Sequence, residues 1–154
     1  MPRTKMIDNR KAIDDIIHRC DVCYVGLADA QGEPYVVPFN FAYEENVIYL
    51  HSAREGKKMD IMRAHPSLCI AMSTDHQMRH QHPDVACSYG MKYRSVILHG
   101  KVEFIDDFKR KEEVLNLFMK KYVGREFSFN APSIHEVAVY QVKIETITGR
   151  ESGY

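Results

Sequence analysis

The stretch His51-Ser-Ala-Arg-Glu-Gly-Lys-Lys58 gathers the residue types that a phosphate needs. A phosphate is held by backbone N–H donors, a hydroxyl and a cation converging on one spot. The segment leaves the apolar run at residues 47–52, passes a glycine-containing loop and enters Lys57–Ala64, whose pattern reads as a helix. A helix N-terminus supplies orphan amides and the positive end of its dipole. Ser52 supplies the hydroxyl, and Lys57 and Lys58 place two ammonium groups in the first turn. The dipole disfavours cations there, so the pair makes better sense with an anion present. On spacing alone, a solvated lysine pair on an exposed helix stays open. His51, at the strand end, is placed to donate a proton or touch a bound ring; a hydrogen-bonded, half-buried histidine is the other reading.

A second candidate is Tyr93-Arg-Ser-Val96, at the start of an otherwise apolar strand. Arginine suits planar, bidentate anion contacts, so Arg94 with Ser95 could serve a phosphate; an edge-strand ion pair is the alternative. Cys20-Asp-Val-Cys23 has the gap of zinc ligands, and His76, His80 and His82 cluster. No second C-x-x-C follows, and Cys20 and Cys23 flank a helix-to-strand change, where they suit a core. No metal site is expected.

The chain behind these residues has 154 residues, 45% hydrophobic and 27% charged, with 21 basic and 21 acidic side chains. That is one domain's length, so residues 1–154 are expected to form a single domain. Charge balance argues against non-specific nucleic-acid binding and against a polybasic membrane anchor. No apolar run approaches the ~20 residues of a membrane span. The N-terminal stretch lacks the apolar run of an export signal, so a cytoplasmic protein with reduced cysteines is expected.

Residues 9–19 read as an amphipathic helix capped by Asn9, with Ala12, Ile13, Ile16 and Ile17 as its apolar stripe. Strands follow at Cys23–Ala28, 35–43 and 47–52, joined by short turns into a meander. Helix 57–64 ends at His65-Pro66, because the residue before proline avoids the helical region. A strand at 67–74, a polar loop at 75–86 and a strand at 93–105 kinked at Gly100 come next. A helix at 107–122, ending at Gly124, precedes a last strand at 137–147. Six strands in meander order with two to three helices predict an α+β barrel rather than a doubly wound sheet.

Three segments in this order, residues 35–43, 50–66 and 93–102, resemble the pyridoxamine 5′-phosphate oxidase-like flavoproteins. The resemblance is closer to their 5-nitroimidazole-resistance branch, the Nim proteins, and runs from about Ile13 to Arg150. It implies a six-stranded antiparallel split β-barrel and a homodimer with FMN sites at the subunit interface. It implies that Val37, Pro38, Phe39 and Asn40 lie along the isoalloxazine. His51 and Ser52 would meet the ribityl-phosphate, Lys57 and Lys58 the phosphate, and Arg94 and Ser95 the cofactor again. In the Nim branch a histidine at the position of His51 stands beside flavin and substrate, which makes His51 the candidate catalytic residue. The implied activity is reduction of a small molecule, such as the nitro group of a 5-nitroimidazole, toward the amine.

One departure narrows this. The close at Glu151-Ser-Gly-Tyr154 lacks the tail with which true pyridoxamine phosphate oxidases hold substrate, so vitamin B6 oxidation is not expected. Related branches carry a deazaflavin or haem. A flavin carrier or sensor without turnover, or a haem- or metal-binding protein, are the alternatives to a reductase.

Overall fold

Eight strands and four helices make up the described residues, 4–154, of the computed structural model. The first three residues of the stretch inspected for an export signal lie outside them. In chain order the elements are β1 (Thr4–Ile7), α1 (Arg10–Arg19), β2 (Cys23–Ala28), β3 (Pro34–Phe39), β4 (Ala42–Glu44) and β5 (Val47–Ala53). Then come α2 (Lys57–Ala64), β6 (Ser67–Arg79), β7 (Gly90–Ile105), α3 (Phe108–Tyr122), α4 (Ala131–His135) and β8 (Val137–Ser152). The antiparallel sheet runs β3-β2-β6-β7-β8-β5-β4, with β1 added beside β8.

This order dictates the shape. β3 and β4 stand at opposite ends of the sheet, yet only Asn40 and Phe41 join them. The three chain steps from Phe39 to Ala42 reach no more than about 11 Å. The sheet must therefore curl until its ends meet, and no ladder closes the seam. The result is a split barrel, as the sequence predicts, with β1 and α4 added and one expected strand divided.

That division has a visible cause. Residues 35–43 were expected to be continuous, but the Phe41 N–H donates to the Tyr122 hydroxyl at 3.1 Å instead of a neighbouring strand. The same hydroxyl lies 3.2 Å from the Phe41 carbonyl and donates to the Asp21 carbonyl at 2.7 Å. A side chain from the end of α3 thus replaces the ladder at the break. The Lys121 ammonium covers the Phe41 ring, 3.3 Å from its centre.

The helices follow their sequence signals. The Asn9 side chain accepts from the Ala12 N–H, and Ile13, Ile16 and Ile17 bury against the barrel. β2 alternates, with Cys23, Val25 and Leu27 inside. Inside the barrel these join Phe41, Leu50, Met59, Ile70, Leu98 and Tyr140, each worth roughly 1.5–3 kcal/mol of burial. A second core of Tyr49, Val114, Leu115, Phe118, Ile134 and Val139 fixes α3 and α4 to the outer face of β4, β5 and β8.

Two strands run longer than their apolar patterns. β6 passes through an irregularity between Thr74 and Gln77 and pairs on to Arg79, so the loop expected from 75 begins only after it. Residues 75–79 bury neither face, which leaves no alternation to read. β8 continues to Ser152 because β1 and β7 both pair with its end. The kink at Gly100 is present as a register shift between His99 and Gly100. A Cβ there would stand 2.5 Å from the Lys143 carbonyl oxygen, so only glycine fits. Among the described residues no helix is long and apolar enough to cross a membrane, and all four cysteines are free.

Candidate functional site

The seam opens into a cleft of about 420 Å³, within the ~300–1,000 Å³ range of small-molecule sites. β3 and its exit provide Pro38, Phe39 and Asn40; β5 provides His51, Ser52 and Ala53; α2 provides Lys58; Glu136 and Val137 close it. Residues distant in sequence meet because the curled sheet brings β3 beside β5.

His51 faces Val139 across the β5–β8 ladder. Its ring meets Phe118 edge-on, with centroids 4.6 Å apart and planes at 80°. Burial, and then the Lys58 charge, hold its pKa below the usual histidine value. The imidazole is therefore neutral at pH 7, able to donate one hydrogen bond and accept another.

Ser52 is held on both sides. Its hydroxyl donates to the Ala53 carbonyl at 2.9 Å and accepts from the Tyr140 hydroxyl at 3.0 Å. Burial pushes Tyr140 up to about 12, so it stays a donor across the physiological range.

α2 begins at Gly56, whose φ of 127° is closed to most other residues, and no side chain caps the helix. Its first-turn amides are left for solvent or a ligand. The Lys58 ammonium lies 5.0 Å from the centre of the Phe39 ring and the Lys57 ammonium 4.4 Å from that of Tyr35. Among the described residues neither lysine forms an ion pair. An unpaired ammonium from the uncapped first turn of α2 lies beside an aromatic wall, next to a Ser52 hydroxyl that would have to turn its proton from the Ala53 carbonyl to serve a ligand. That donor set fits the phosphate and ring of a flavin nucleotide.

A family model described as pyridoxamine 5′-phosphate oxidase matches residues 9–151. The chain belongs to that family. A search of curated proteins returned no match. Among solved structures, a protein of Bacteroides thetaiotaomicron assigned to 5-nitroimidazole antibiotic resistance is 38% identical, with a TM-score of 0.88. The match covers 99% of this chain and 89% of that one. The flavocytochrome Anf3 of Azotobacter vinelandii shares the fold at TM-score 0.80 and 23% identity, over 95% of this chain and 68% of that one. An FAD- and heme-binding protein of Mycobacterium smegmatis does so at TM-score 0.84 and 15% identity, over 97% and 74%. The fold is thus the split barrel found in flavin-binding proteins.

Within this family member, Pro38, Phe39, Asn40, His51, Ser52 and Lys58 come together in the cleft. Val37 instead packs against the barrel core, and Lys57 lies beside the cleft over Tyr35. Arg94 and Ser95 sit on β7, three strands from β3 and two from β5. Arg94 is engaged by Asp75 at 3.0 Å and Glu151 at 3.2 Å, and its guanidinium stacks on Tyr154. Arg19 joins at Asp75, whose carboxyl these arginines hold below the usual range. Within one chain, Arg94 therefore belongs to an ion-pair network outside the cleft.

Cys20 and Cys23 are buried, with thiols pushed up to about 11 and 12 by burial. His80 stacks on Tyr89, and His76 contacts Ser73. Among the described residues no three of His, Cys, Asp or Glu are grouped to hold a metal. The sequence reading missed Glu136 and Val137. They reach the cleft only through the β5–β8 register, in which Ala53 faces Val137, and alternation alone does not set a register between distant strands.

Proposed function

We propose that this protein holds FMN in the seam cleft and reduces a small molecule with it, 5-nitroimidazoles being the candidate substrates. The observation that carries the reading is the aromatic-walled cleft lined by His51, Ser52 and the unpaired Lys58, which comes from the uncapped first turn of α2. The 38% identity to the Bacteroides resistance protein supports the substrate class. FMN, once reduced by an external two-electron donor such as NAD(P)H, would supply the electrons two at a time and be reoxidised to FMN. The chain's own residues bind and orient. Lys58, Lys57 and the α2 amides take the phosphate. Pro38, Phe39 and Asn40 lie along the ring system. His51, neutral and pinned by Phe118, presents a hydrogen bond to the substrate and passes a proton when protonated.

The site is proposed to be shared in a homodimer. Pro38, Tyr24, Ala71, Ile97 and Thr148 face one another in succession across β3, β2, β6, β7 and β8. Tyr24 is 52% exposed and Ile97 43%, an apolar row on an open sheet face that ends at the cleft wall. Such rows mark protein contacts. Ser95 lies two positions from Ile97 and so shares this face. A second copy seated there would bring its Ser95 toward the neighbouring cleft.

Equilibrium dialysis of FMN at falling protein concentration tests the shared site. FMN loss that tracks dissociation of the dimer is expected. A monomer retaining FMN at full affinity would contradict it.

A further inference from the structure

Glu136 is the cleft residue that the flavin reading leaves unused. It caps the C-terminus of α4, where its N–H donates to the Pro132 carbonyl at 3.0 Å. The Arg54 guanidinium donates to the neighbouring His135 carbonyl at 2.9 Å, fixing the turn. Glu136 lines the cleft as an exposed residue, and its carboxylate has no ion-pair partner among the described residues. The other charged group of that wall, Lys58, is turned onto Phe39. The cleft thus carries a cation suited to a cofactor's phosphate and a separate, uncompensated anion.

We infer that Glu136 is a specificity-determining residue that selects substrates carrying a positive charge or N–H donors opposite the reacting group. This rests on the reductase reading above and adds the substrate's charge pattern. Attraction between unit charges strengthens as the dielectric falls, and a cleft walled by Phe39, Pro38 and Val137 is drier than bulk water. The same carboxylate repels nitro oxygens, so a nitro-aromatic would enter with its cationic end toward Glu136 and its nitro group away from it.

The test compares two nitroimidazoles of equal size, one ending in a primary ammonium and one in a hydroxyl. Calorimetric binding to the FMN-equilibrated protein is measured for wild type, Glu136→Gln and Glu136→Lys, with kcat/KM as second readout. Wild type is expected to prefer the ammonium compound by about threefold, as for an exposed ion pair. With every protein held at saturating FMN, the preference should vanish in Glu136→Gln and invert in Glu136→Lys. Equal preference in all three proteins overturns the inference, whether or not either compound is turned over. Failure to bind FMN would instead defeat the reductase reading, and the charge preference would still be read on the flavin-free protein.

Discussion

The Lys58 ammonium rests 5.0 Å from the centre of the Phe39 ring, so one side chain of α2 spans the seam to β3. The stack leaves the ammonium without an ion-pair partner among the described residues. An ammonium on an aromatic face keeps its donors for a stronger acceptor. A phosphate at the uncapped start of α2 would draw it off the ring.

Lys58→Ala is therefore expected to weaken FMN binding by about tenfold, with a smaller effect from Lys57→Ala, whose ammonium lies outside the cleft lining. Fluorescence titration with FMN measures both. Equal affinity in Lys58→Ala and wild type would place the phosphate elsewhere.

His51→Ala should keep FMN and lose turnover by about 100-fold, the low end for a positioned proton-transfer group. Burial and Lys58 lower its folded pKa below 6.5. The protonated form is then populated only in acid, so wild-type kcat/KM should rise as pH falls below 6.5, while His51→Ala stays flat. The sign for stability is opposite. A depressed folded pKa means the fold binds fewer protons than the unfolded chain, so stability present above pH 6.5 declines as pH falls through the folded pKa. A carrier without turnover would show no His51-dependent rate at any pH.

Asp75→Asn should lower stability by about 1–2 kcal/mol, because two arginines lose a charged partner that is itself only partly buried. Asparagine tolerates the φ of 58° found at Asp75, so the change isolates the charge. FMN affinity of the same protein should not move. A clear gain in FMN affinity would mean that Arg94, once freed, serves the phosphate directly.

Most of the cleft was legible because its parts announce themselves locally. Helix starts, an end-of-strand histidine and a lysine pair are short-range signals, and α2 and β2 fall on their expected residues. What sequence could not give were pairings between distant strands. Glu136 enters through the β5–β8 register, and Tyr122 divides residues 35–43 from the far end of α3. Arg94 shows the converse: its type suited an anion, but the bulge at Asp75 supplies that anion from within the chain. β1 was missed because its residues are exposed on nearly every side, and only its pairing with β8 makes it a strand.

The most direct measurement is the absorption spectrum of the protein mixed with FMN and passed through a desalting column, with the released ligand identified by mass spectrometry. Twin flavin bands, shifted from those of free FMN, at about one FMN per chain are expected. A colourless protein after desalting, at concentrations that keep the dimer together, would contradict the assignment of the seam cleft as a flavin site.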